Sequence, residues 1–71
     1  MSIQDELRQV DEDLAKLRAS AADLREQISD MGPGDAVDRA SMMTMAEEQE
    51  RLIADLQARR EQLQRRLDGA T

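Results

Sequence analysis

Apolar residues fall at Ile3, Leu7, Val10, Leu14, Leu17, Ala21, Leu24, Ile28 and Met31, in steps that alternate four and three without a break. A stripe with that spacing stays on one side of an α-helix, and over about four heptads it calls for a partner helix lying alongside. The run ends at Gly32-Pro33-Gly34, which holds the only proline and two of the three glycines. Proline cannot continue the helix, and Gly32 suits a left-handed position just past its last turn, so the chain is expected to reverse here. At the other end Ser2 can cap the helix, with Asp5 completing a capping box. A cap placed directly after Met1 is what a natural start would give.

Beyond the reversal a second helical pattern runs from near Asp35 to Asp68, with Gly69 as its stop. Its seam reads Met42, Met45, Gln49, Leu52, Leu56, Arg59 and Leu63, again in steps of three and four, and beside it lies a stripe at Ala46, Ile53, Arg60 and Leu67. The expected fold is all-α: an antiparallel two-helix coiled-coil hairpin with helix 1 over 2–31, a tip over 32–35 and helix 2 over 36–68. At a rise of about 1.5 Å per residue, each helix spans roughly 40 to 50 Å. Folding at the tip sets Leu17 against Leu52, Leu14 against Leu56 and Leu7 against Leu63. Ala21 opposite Gln49 and Val10 opposite Arg59 then read as register pins. Far from the tip, Asp5, Glu6, Asp11, Glu12 and Asp13 come near Arg59, Arg60, Arg65 and Arg66. Two helices leave the edge stripe open, so Met43, Ala46, Ile53 and Leu67 are expected to meet a second copy, giving a four-helix bundle, or another protein.

Composition narrows the function classes. Seventy-one residues make one small domain, and the absence of Phe, Tyr and Trp argues against a compact globular core, while 37% charged residues suits long helices. There is no cysteine and no histidine, which removes disulfides, thiolate sites and conventional zinc sites. The four serines, Ser2, Ser20, Ser29 and Ser41, have no histidine to serve as base, so no catalytic residue is assigned and the chain is not expected to be an enzyme. No apolar run approaches the roughly 18 residues of a membrane span, and no secretory signal is recognisable, so the expected location is the cytoplasm. Charge is uneven. Residues 26–50 hold seven acids (Glu26, Asp30, Asp35, Asp38, Glu47, Glu48 and Glu50) against Arg39 alone, a surplus of six that equals the net charge of −6, because the other nine acids and nine bases cancel. Such acidity disfavours direct nucleic-acid binding, which needs an excess of Lys and Arg.

The tip therefore combines a turn with concentrated negative charge. Asp35 and Asp38 stand three apart at a helix start, where the plain roles are N-cap for Asp35 and dipole-favoured first-turn acid for Asp38. Two carboxylates on a rod's end could also probe a basic or metal-containing cavity, sharing Mg²⁺ only if a partner or water completes its octahedron. They make no metal site alone, and no cofactor is expected. Met42, Met43 and Met45 follow, with Met43 off the seam and suited to an adaptable contact surface.

Asp35-Ala36-Val37-Asp38-Arg39-Ala40-Ser41 resembles the coiled-coil tip of the DksA/TraR class of bacterial RNA polymerase regulators, in which Asp-x-x-Asp-Arg-Ala opens the second helix after a Pro-rich turn. The Gre transcript-cleavage factors look similar: a Gly-Asp pair starts their second helix and an acid follows three residues later, as in Gly34-Asp35 and Asp38. The resemblance implies a hairpin that enters the secondary channel of RNA polymerase, with Asp35, Asp38 and Ala40 as contacting residues and Arg39 within the motif. It covers the hairpin alone; these 71 residues hold neither the four-cysteine zinc finger of the DksA relatives nor the C-terminal globular domain of the Gre factors. The expectation is a transcription regulator with a protein partner. The alternative is a coiled-coil adaptor or oligomerisation module that binds through its apolar edge.

Overall fold

The computed structural model describes residues 2–69 and is an antiparallel helical hairpin: α1 over Ile3–Ser29, a 3₁₀ turn over Pro33–Asp35, and α2 over Ala36–Gly69. Its extents of 57 × 16 × 14 Å make it a rod. Helix α1 begins as its sequence requires. The Asp5 N–H donates to Ser2 Oγ at 3.1 Å and the Ser2 N–H donates to Asp5 Oδ2 at 3.5 Å, a reciprocal capping box.

The exit from α1 differs from the expectation. Gly32 is extended (φ −86, ψ 173), and no described residue has positive φ. The helix instead closes on Asp30, whose N–H donates to the Glu26 carbonyl at 3.0 Å, and the Met31 N–H donates to the Ile28 carbonyl at 3.2 Å. Because the last turn is satisfied by these bonds and by side chains from beyond the turn, a left-handed glycine is not required. Pro33 then sits at the first position of the 3₁₀ turn, where its missing N–H costs nothing, and the turn runs straight into α2.

All nine expected seam positions turn inward: Leu7, Val10, Leu14, Ala21 and Leu24 are buried, and Ile3, Leu17, Ile28 and, past the end of α1, Met31 are half-buried. The α2 seam needs correction. Met42, Gln49, Leu56 and Leu63 do face α1, but the alternate positions are filled by Ala46, Ile53, Arg60 and Leu67, not by Met45, Leu52 and Arg59. Met45 and Leu52 stand 53% and 51% exposed, and Arg59 is also on the outside. The inward residues step by four and three from Met42 to Leu67 without interruption, so α2 is as regular as α1. The stripe expected to be open is thus the inner seam, with Ile53 and Leu67 packed on the core of Leu7, Val10, Leu14 and Leu63.

Polar contacts hold the antiparallel register. Gln49 Nε2 donates to Ser20 Oγ at 3.0 Å, in the layer expected to pair Gln49 with Ala21. At the open end Arg60 Nε donates to Asp11 at 2.6 Å and Arg59 Nη2 donates to Glu6 at 3.2 Å. Arg60, not Arg59, occupies the seam, and Arg59 bridges from the flank. No helix among the described residues is long and apolar enough to cross a membrane.

Candidate protein-docking tip

Two of the tip residues singled out by the motif hold the turn together. The Asp35 N–H donates to the Gly32 carbonyl at 3.1 Å, and the Asp35 carboxylate accepts from the Gly32 N–H at 3.3 Å. Asp35 thus clasps the residue three before it, which pins the 3₁₀ turn at both of its backbone groups. Arg39, one turn into α2, reaches back so that its Nη2 donates to the Ile28 carbonyl at 3.5 Å. The last turn of α1 has no basic residue of its own. A guanidinium placed on a carbonyl that also accepts the Met31 N–H adds a further donor and the positive charge that a helix C-terminus favours. The motif's aspartate and arginine therefore brace the two strokes of the hairpin from opposite sides.

The residues between and beyond them are bare. Every residue from Gly32 to Ser41 is exposed, and Asp38 has no hydrogen-bond or ion-pair partner among the described residues. Ala40 is exposed as well, and its carbonyl accepts the Thr44 hydroxyl at 3.1 Å within α2. Sequence reading missed Val37. At 81% exposed it is the most exposed large apolar side chain among the described residues, lying between Asp35 and Asp38. A signal was present: position 37 falls off both apolar columns of α2, so a valine there serves neither of them. Val37, Ala40 and Met43 follow one another at three-residue steps, which sets an apolar strip beside the free Asp38 carboxylate.

The other candidates divide. Met43 is half exposed and lines a shallow depression with Ile28, Ala46, Glu47, Arg25 and Glu50. Ala46, Ile53 and Leu67 belong to the inner seam and are only half exposed to solvent. Met45 and Leu52 are two further large apolar side chains that α2 turns outward. Among the described residues no three carboxylates come together as a cation site. What the arrangement offers chemically is recognition: a braced end with the unpaired Asp38, an apolar strip and surplus negative charge. Compared with known proteins, the chain matches no family model, no curated protein and no solved structure.

Proposed function

We propose that the chain is a non-enzymatic transcription regulator that binds bacterial RNA polymerase by inserting its acidic tip into the secondary channel. The observation that carries the reading is the division of labour at the tip. Asp35 and Arg39 spend their polar groups on the turn, leaving Val37, Asp38 and Ala40 presented on a braced support. Pre-ordering of this kind lowers the entropy lost on docking. A rod 57 Å long and 16 × 14 Å across has the proportions of a probe for a narrow, electropositive opening, and the Asp-x-x-Asp-Arg-Ala tip supplies the choice of partner. An effect on the polymerase's chemistry would then come from Asp38 placed near the metal ions of the partner, where a carboxylate can orient water.

The test is capture of purified bacterial RNA polymerase by immobilised hairpin. Asp38→Asn combined with Val37→Asp should reduce capture at least about tenfold, the loss expected for groups at the centre of an interface, with the helical circular-dichroism signal unchanged. Unaltered capture, or no capture by the parent protein, would end this reading. The adaptor reading is favoured by a different observation, the half-exposed Met45 and Leu52 on the outer side of α2. It predicts that Leu52→Glu abolishes partner binding while the tip variant does not.

A further inference from the structure

Four shallow depressions run end to end along one side of the rod, from Gln4 and Gln64 near the open end to Met43 near the tip. Adjacent depressions share Asp11, Ala15 and Arg60, then Arg18, then Arg25 and Glu50, so together they form one furrow. Its two banks carry opposite charge. The α1 bank presents Arg8, Arg18 and Arg25, and the α2 bank presents Glu47, Glu50 and Glu61. Two acids also lie on the α1 side, Asp11, which Arg60 neutralises, and Glu12. Across the furrow Arg25 meets Glu50, as Asp11 meets Arg60. Arg18, Glu47 and Glu61 have no partner among the described residues.

We propose that this furrow docks a second copy of the chain, face to face, with both tips at the same end. The charge pattern selects that arrangement. A two-fold axis along the rod lays α1 of one copy on α2 of the other without shifting their level. Each α1 residue then faces the α2 level it already faces within its own hairpin, where Ser20 lies beside Gln49 and Asp11 beside Arg60. Arg8 meets Glu61 of the second copy, Arg18 meets Glu50 and Arg25 meets Glu47, each pairing made twice. An axis across the rod would instead set glutamate bank on glutamate bank. Between the charges, Ala15 and Ala22 on α1 are small, exposed and line the furrow, which permits close approach of the helices.

The docked pair has consequences for the tip. Stacking two rods doubles one of the 16 and 14 Å cross-sections, so an opening matched to one hairpin excludes the pair. Self-association and insertion then compete, and chain concentration sets the supply of insertable hairpin.

Sedimentation equilibrium across a concentration series tests this on the full chain. The parent protein should move from one to two chain masses. Arg8→Glu/Arg18→Glu and Glu50→Arg/Glu61→Arg should each weaken association at least about tenfold while remaining helical. An equimolar mixture of the two variants should regain it, because each then faces the opposite bank. Three results would overturn the proposal: a parent protein that stays monomeric throughout, a mixture that fails to recover, or loss of the dimer in Leu52→Glu with the furrow variants unaffected. Val37→Asp/Asp38→Asn should leave the mass unchanged, so failure of the tip reading and failure of the dimer are separable.

Discussion

The open end and the tip end of this rod are built from the same two helices by different means. At the open end Leu7, Val10, Leu14 and Leu63 form a buried cluster, with Ile3, Ile53, Leu56 and Leu67 packed on it. Two cross-helix ion pairs, Arg59 with Glu6 and Arg60 with Asp11, flank it. Toward the tip only Ala21 and Leu24 are buried, both on α1, and no residue of α2 before Leu63 is. Burial of large aliphatic groups therefore holds the hairpin shut at one end, whereas the other end is kept in shape by hydrogen bonds around a short turn. The contrast teaches that the tip's order is local. It depends on Asp35, Arg39 and the fixed φ of Pro33 more than on the seam beneath it, which leaves its outward residues free for a partner.

Removing a large side chain from each end should expose the asymmetry most strongly. Among the described residues Leu63 is the one fully buried side chain, so Leu63→Ala should cost about 2–5 kcal/mol by lost transfer energy plus an unfilled cavity. Met42→Ala, half-buried near the tip, should cost about 1 kcal/mol or less, since little of its surface leaves water on folding. Urea unfolding of both variants decides the matter; equal losses would mean that the tip-end seam carries as much of the stability as the open end. A second pair of variants sharpens the comparison across α2. Ile53→Glu places a charge on the inner seam and should destabilise by about 2 kcal/mol or more, while Leu52→Glu, one residue away and half exposed, should stay within about 0.5 kcal/mol in the monomer. The reverse order would restore the seam through Met45 and Leu52.

The seam of α1 was legible from its sequence residue by residue, and that of α2 was not. The reason is that α1 offers a single apolar stripe, whereas α2 offers two that share Met42, Gln49, Leu56 and Leu63 and differ in the intervening column. Choosing between Met45, Leu52, Arg59 and Ala46, Ile53, Arg60, Leu67 amounts to turning α2 by roughly 50° about its axis. That angle follows from the 3₁₀ path from Pro33 to Asp35, which the periodicity of α2 does not encode directly. One clue pointed the right way: continued by a heptad, the outer column reaches Arg66, while the inner one ends on Leu67. At the tip, the aspartates were visible as a motif, but their separate work was not. Helix-end chemistry makes Asp35 an N-cap and Asp38 a first-turn acid, and only the backbone path shows that Asp35 ends the 3₁₀ turn and clasps Gly32 instead, while Asp38 stays unpaired. The Arg39 contact to Ile28 crosses from one helix to the other and has no signature in local spacing.

Between the two ends lies Gln49, where a small effect of the opposite sign is expected. Its Nε2 donates to Ser20, but its Oε1 is buried without a partner. An unmet acceptor costs about 1–3 kcal/mol when fully desolvated, and the half-buried side chain reduces that figure. Gln49→Leu should therefore stabilise the hairpin, by about 0.5–1 kcal/mol on the scale of one partly buried side chain. What the leucine gives up is direction. A polar group in an apolar seam specifies register because only one alignment satisfies its hydrogen bond, and an aliphatic replacement packs nearly as well one heptad step away. With spin labels at Ala19→Cys and Arg51→Cys, both exposed, the interhelical distance should be a single narrow distribution for the parent and broaden for Gln49→Leu. A distribution that stays narrow while stability rises would show that the open-end cluster and its two arginines fix the register unaided, and that the polar layer serves no alignment role.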